Sequence, residues 1–209
     1  MEPFDWRAFL ERWSREWLED EWAVEQLPPE VVASGWLGYP GATEEQLAQL
    51  ESYLERALPP SYRAFLKVSD GWRWVTDDID HLWSTEEIGW FAVRNQESID
   101  GWMHTTAANP LPDADYFVYG DEQNSGFFRA QYLQTAVQIS EWDDSDIYLL
   151  NPEVVTPEGE WEAWLVQTWL PGVQRYRSFQ ELMQAEHDSF LESRQHEWVF
   201  NGDVADETL

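Results

Sequence analysis

The chain has 209 residues, with 12 lysines and arginines against 41 aspartates and glutamates, a formal net charge of −29. A field of that sign repels phosphate backbones and anionic membrane surfaces, so neither direct nucleic-acid binding nor membrane association is expected, and a basic protein is the favoured partner. No cysteine is present, which excludes disulfides and thiolate metal sites, while 43% hydrophobic residues predict a packed core in one domain, and 15 tryptophans are more than a core easily holds, which places some at a surface groove.

The N-terminal stretch "MEPFDWRAFLERW" is acidic and amphipathic and lacks the basic start and apolar run of a signal peptide. No stretch approaches the ~20 apolar residues of a membrane span, so the cytoplasm is the expected compartment. Trp6, Phe9, Leu10, Trp13 and Trp17 recur at helical spacing, with Arg7, Glu11 and Arg15 on another face, and predict an amphipathic helix over 5–18. A Pro- and Gly-rich loop is predicted from Leu27 to Gly41. Thr43, with Gln46 three residues on, forms a capping box that opens a second helix with Leu47, Leu50, Leu54 and Leu58 as its buried stripe.

Pro59 and Pro60 end that helix, because proline offers no N–H and restricts the residue before it, and Pro60 also suits the first turn of a following helix. Tyr62, Phe65 and Leu66 then point to one side, Lys67 favours the helix C-terminus, and Gly71 can take a left-handed stop. On residue chemistry alone this stretch is architecture.

Beyond Gly71 the runs "WRWV", "WFAV", "YFVYG", "AVQIS", "IYLLNP" and "EWEAWLVQTWL" are short, aromatic and β-branched and are separated by turn residues, which predicts strands. The last is apolar on both alternating faces, as in a strand covered on both sides, and the short spacings require antiparallel connections. A closing helix starts at Ser178 with Glu181 completing a capping box, and Phe179, Leu182, Met183, Phe190 and Leu191 are its apolar positions. The fold class is therefore α+β: a single domain with an antiparallel or mixed sheet of short strands, N-terminal helices and a C-terminal helix packed on it. An N-terminal helix and linker over 1–35 precede a main domain over 36–200, and a flexible tail over 201–209 follows.

The stretch "GATEEQLAQLESYLERALPPSYRAFLKVSDGW", Gly41 to Trp72, resembles the N-terminal signature of the SUKH superfamily, which includes bacterial immunity proteins and fungal cell-wall synthesis regulators. The elements of that signature are a helix, Leu58-Pro59, Tyr62, Phe65-Leu66 and Asp70-Gly71. Asp70 stands where asparagine is common, and Arg56 and Ala57 stand where a glycine usually precedes the Leu-Pro turn. "IYLLNPEVV", Ile147 to Val155, is similar to the family's strand that ends before a turn, and "YRSFQELM", Tyr176 to Met183, to its closing helix. The resemblance runs from Trp36 to Phe190 and leaves the helix at 5–18 outside it as an added element. It implies binding rather than catalysis: bacterial members protect a cell by neutralising a secreted toxin, often a nuclease.

A search for catalytic chemistry agrees with that implication. His81, His104, His187 and His196 show no paired metal-ligand spacing, and nucleophile elbow, Walker loop and dinucleotide fingerprint are all absent, so no catalytic residue, metal or cofactor is expected. Two acidic clusters stand out, Asp77, Asp78 and Asp80 in "DDIDH" and Glu141, Asp143, Asp144 and Asp146 in "EWDDSD". Neither fits the calcium-loop pattern. Each lies between apolar runs near a tryptophan, Trp74 and Trp142, so charge would steer a basic partner and the aromatic would anchor it. Solvated turns between strands would carry the same composition.

The reading is a non-enzymatic immunity-type protein that binds a basic toxin domain. A regulatory or scaffold module of the cell-wall-regulator type and a glycan-binding module, with tryptophans as the sugar platform, are the alternatives.

Overall fold

The computed structural model describes residues 4–76, 79, 81–106, 111–126, 128–142, 146–167 and 172–202. Its N-terminal part is helical: α1 (Trp6–Trp17), α2 (Glu21–Gln26), α3 (Pro29–Ser34), α4 (Glu44–Leu54) and α5 (Pro60–Val68). The short strands β1 (Trp72–Arg73), β2 (His81–Leu82) and β3 (Gly89–Trp90) follow, then α6 (Phe91–Thr106) and α7 (Asp113–Tyr116). The chain closes with β4 (Val137–Gln138), β5 (Asp146–Val155), β6 (Trp161–Gln167), β7 (Val173–Tyr176) and α8 (Phe179–Gly202). Strands β3-β4-β5-β6-β7 form one antiparallel sheet in sequence order, and β1 pairs with β2 in a separate antiparallel ribbon. The α+β class, the N-terminal helices and the closing helix are as the sequence predicts.

Both faces of the sheet are covered, and strand alternation decides which residue goes where. Tyr148 and Leu150 of β5 and Ala163 and Leu165 of β6 face a core built with α1, α4, α5 and α8. Ile147 and Leu149, with Trp164 and Val166, face a second core under α6 and the 3-10 turn Ala130–Gln134. At roughly 1.5–3 kcal/mol for each large side chain fully buried, these two layers supply the driving force of the fold.

The stretch from Leu58 to Trp72 is a scaffold. Thr43 and Gln46 make the predicted capping box of α4. Pro60 opens α5, whose second residue, Ser61, gives its N–H and hydroxyl to the Glu160 carboxylate at 2.8 and 2.6 Å. The start of α4 lies so close to the end of α5 that a Cβ on Gly41 would come 2.0 Å from the Lys67 carbonyl oxygen, and Ala42 N–H donates to the Leu66 carbonyl at 2.8 Å. Gly71 has φ +97° and backs onto the Leu82 carbonyl, so it serves a tight crossing; the helix itself ends earlier, with extended Ser69 as its C-cap. Asp70 accepts from the Thr85 N–H at 2.7 Å and its hydroxyl at 3.0 Å, which pins the turn after β2.

Four expectations are corrected. The predicted loop 27–41 contains α3, started by Pro29 in its first turn and ended by Gly35 at φ +66°. "WFAV" starts the helix α6, "YFVYG" runs from the end of α7 into a 3-10 turn at Gly120–Glu122, and β7 is a strand the sequence reading lacked. Of the expected tail, residues 203–209 lie outside the described residues.

Candidate partner-binding cleft

Of the acidic clusters, Asp77, Asp78, Asp80, Asp143 and Asp144 lie outside the described residues, whereas residues 81–83 and 139–141 beside them are in contact. Leu82 bridges to Ser140, Trp83 N–H donates to the Ile139 carbonyl at 2.8 Å, and His81 Nδ1 lies 3.7 Å from Glu141 Oε1. Val75 N–H donates to the Ile79 carbonyl at 3.0 Å, and Val75 and Ile79 are both buried.

The two tryptophans near those clusters part company. Trp142 is half-buried in the second core, 5.6 Å from Phe91 and stacked on Trp102 at 6.0 Å. Trp74 lies over the first core, stacked on Trp22 at 5.7 Å with an 18° interplanar angle and set edge-on to Trp17 at 5.5 Å. Its φ of +48° is a conformation non-glycine residues rarely adopt, and the ring stack holds it there.

Asp146, the first residue of β5, is only 6% exposed and stands in the wall of a cleft of about 660 Å3 between α8, the α1–α2 corner and the open ends of β6 and β7. That volume suits a small ligand or a few residues of a partner chain. Leu165, Gln167, Gln174 and Tyr176 form the sheet side, while Trp17, Trp22, Phe190 and Arg194 form the helix side. Asp146 Oδ2 accepts from Gln167 Nε2 at 3.3 Å. Nearby, the Glu186 carboxylate accepts the Tyr148 hydroxyl at 2.6 Å. Burial first, then the Glu186 charge, push the Tyr148 and Tyr176 hydroxyls far above the usual phenol range, so both stay protonated.

The helix side of the cleft is held by polar clamps from the N-terminal elements to α8. Glu16 Oε2 meets His187 Nε2 at 2.6 Å, Arg194 Nη2 lies 3.3 Å from Asp20 Oδ2, and Arg194 Nη1 donates to the Glu16 carbonyl. Among the described lining residues the carboxylates are Asp20, Asp146 and Glu186, against the one guanidinium of Arg194. Trp22 is 60% exposed at the rim, the most accessible of the described tryptophans. A cleft of this make-up can take a cationic group and lay its apolar part on an indole.

Of the residues singled out in the sequence, Asp146 lines the cleft and Trp74 stacks on its rim residue Trp22, whereas Trp22, Glu186 and the helix wall were not singled out. Trp22 lies in "LEDEWAVEQ", off the buried stripe of α1, and a lone tryptophan among acids was the available signal. Glu186 follows Met183 at helical spacing, on the side that faces the sheet, where a carboxylate is out of place unless it is bonded. Among the described residues no group of three or more His, Asp or Glu is placed to hold a metal, and no helix is long and apolar enough to cross a membrane.

The family model that matches the chain is described as "SMI1 / KNR4 family (SUKH-1)" and covers residues 41–185. Comparison with curated proteins gave no match. The matched span holds the sheet, α4 to α7 and the first part of α8, and leaves α1 to α3 and the rest of α8 outside it.

Proposed function

This chain belongs to the SMI1/KNR4 (SUKH-1) family, and from that premise we propose that it is a cytoplasmic immunity protein that neutralises a basic toxin domain by direct binding. The family supports a module of the immunity or cell-wall-regulator type, and the net charge of −29 favours the first of these. The observation that carries the reading is the cleft: three carboxylates against one guanidinium among its described lining residues, beside an exposed tryptophan. A nuclease site is built to hold phosphates, so an acidic surface can occupy the same basic groove, steered by its field and anchored by the aromatic.

The regulatory reading has the same family support and predicts endogenous partners. The glycan reading is weaker, because Trp6, Trp13, Trp17, Trp72, Trp83, Trp161 and Trp164 are all buried and so form no sugar platform. The test is capture from the source lysate on the purified protein at low and then high salt, followed by co-expression of any captured basic domain with this chain. One dominant basic partner, released by salt and no longer toxic when co-expressed, supports immunity. Several housekeeping partners, or a captured domain whose toxicity persists, move the function to regulation.

A further inference from the structure

The cleft is a composite. Trp17, Asp20, Trp22, Glu186, Phe190 and Arg194 lie outside the span that matches the family, whereas Asp146, Leu165, Gln167, Gln174 and Tyr176 lie inside it. The added N-terminal helices and the extension of α8 thus lay one wall against the open end of the family's sheet. Clamps from Glu16 to His187 and from Asp20 to Arg194 fix its width.

We propose that this cleft is a socket for an arginine side chain of a partner protein, with the guanidinium between the Asp146 and Glu186 carboxylates and the aliphatic stem along Trp22 and Leu165. This deepens the immunity reading and rests on it for the partner, though not for the socket. The geometry selects arginine in three ways. Both carboxylates are more than nine-tenths buried, so a cation reaching them is out of bulk water, where charge-assisted bonds are strong. Trp22 lines the cleft, stacked on Trp74 and 60% exposed, and a planar guanidinium stacks on an accessible indole better than a hydrated ammonium. Gln167 and Gln174 on the sheet side add amide oxygens within the same lining for the remaining N–H donors of the fork. Specificity among basic partners would then sit in the elements this chain adds to the family core.

The test uses the intact protein and three probes, N-acetyl-arginine amide, N-acetyl-lysine amide and N-acetyl-citrulline amide, the last a neutral near-isostere of arginine. Binding is followed through the indole N–H resonances, with those of Trp22 and Trp74 assigned by loss in W22F and W74F. The arginine probe should shift the Trp22 and Trp74 signals saturably, the lysine probe bind more weakly, and the citrulline probe bind at least about tenfold more weakly than arginine. Asp146→Asn and, independently, Trp22→Ala should each abolish most of the arginine effect. Trp22 is exposed, so its variant folds even where a buried one fails. Citrulline binding as well as arginine, unmoved indole signals, or arginine shifts that survive both substitutions would overturn the socket. A captured basic partner that binds W22A and D146N normally would sink the socket and leave immunity standing. Arginine recognition without any basic partner would do the reverse.

Discussion

Glu162 and Arg175 lie 3.6 Å apart on the neighbouring strands β6 and β7, and neither side chain has any exposed surface. Arg175 stands opposite Trp164 in the register, which makes Glu162 its diagonal neighbour on the same face of the sheet. The carboxylate also accepts the hydroxyls of Tyr116 and Tyr119 at 2.6 and 2.8 Å, Asn151 Nδ2 at 2.9 Å and Trp164 Nε1 at 2.7 Å. Arg175 in turn donates to the carbonyls of Tyr116 and Val118 and stacks over the Tyr116 ring at 4.2 Å. A buried ion pair is tolerable only when most of its remaining donors and acceptors are met; of this pair's groups only Arg175 Nε lacks a hydrogen bond among the described residues, and the other bonds tie the segment around α7 to the sheet.

Removing one partner of that pair should therefore cost far more than the pair contributes. Glu162→Gln keeps the shape but leaves Arg175 charged and buried, and a loss of about 3–5 kcal/mol in urea unfolding is expected. Replacing both residues by apolar ones should cost much less than the sum of the single changes. A single-variant loss below about 1 kcal/mol would show that the carboxylate holds nothing in place.

The hairpin between β5 and β6 reaches back to cap α5. Because Pro59 and Pro60 offer no side-chain oxygen, the free N–H of Ser61 is met by Glu160, whose charge also suits the positive end of the helix. Glu160→Ala should lower stability by about 1–2 kcal/mol, with Glu160→Gln intermediate. Equal stability of all three proteins in the same unfolding assay would remove the cap from the account of the fold.

How far these features were legible in the sequence depended on whether a polar residue interrupted the pattern. Helices α1, α4 and α5 declared themselves, because their buried faces carry apolar residues at helical spacing, interrupted only by the small Ser14 and Ser61. Helix α6 did not. Its buried side is Phe91, Asn95, Ile99 and Trp102, and the asparagine breaks both the apolar stripe and the helix, at φ −132°. Its side chain is spent on Gln138 Oε1 at 3.1 Å, a bond that only the folded sheet reveals. "YFVYG" read as a strand because its aromatics look like a core face, whereas Tyr116 and Tyr119 are there to reach Glu162. Glu162, alone in the apolar run "WEAWLV", was the visible sign of a buried carboxylate. The cleft wall could not be read, since it arises from contacts between residues near opposite ends of the chain.

Asp70 carries a pH signature. Burial is the largest influence on it and raises its pKa above the ordinary 3.8, against the lowering pull of its Thr85 bonds. Between 3.8 and its raised folded value the folded state holds more protons than the unfolded one, so stability falls as pH rises through that window. Asparagine keeps an acceptor for Thr85 without the charge. Asp70→Asn should thus gain under about 1 kcal/mol at neutral pH, since the site is half open to water, and the gain should vanish below the ordinary value. A variant less stable than the parent at pH 7 would contradict this.

Glu44 should titrate in the opposite sense. Its bonds to Arg63 and then Lys67 hold its pKa at about 2 instead of 4.5, so what it contributes is present above 4.5 and lost as pH falls through about 2. A side-chain carboxyl NMR titration of the protein should find its midpoint near that value, and Arg63→Gln should return it toward the ordinary range. A Glu44 midpoint that ignores Arg63 would assign the depression to something else.

Helix α1 lies outside the family span, yet it is built into the same core as the sheet. Trp6, Phe9, Leu10, Trp13 and Trp17 are all buried, Trp6 packs 5.5 Å from both Phe65 and Phe179, and Trp13 meets His187 edge-on at 5.0 Å. An appended helix would come away at small cost, whereas one that fills a shared core would not. Trp13→Ala should cost about 3–5 kcal/mol, as for other large buried aromatics. Trp13→Phe should cost much less, because the indole N–H is buried without a hydrogen-bond partner among the described residues and its removal relieves that penalty. Removing residues 1–20 should abolish the cooperative urea transition altogether, because Phe65, Phe179 and Phe190 would face water. A truncated protein that still unfolds cooperatively at the parent's midpoint would show that the family span is self-sufficient and that α1 only walls the cleft.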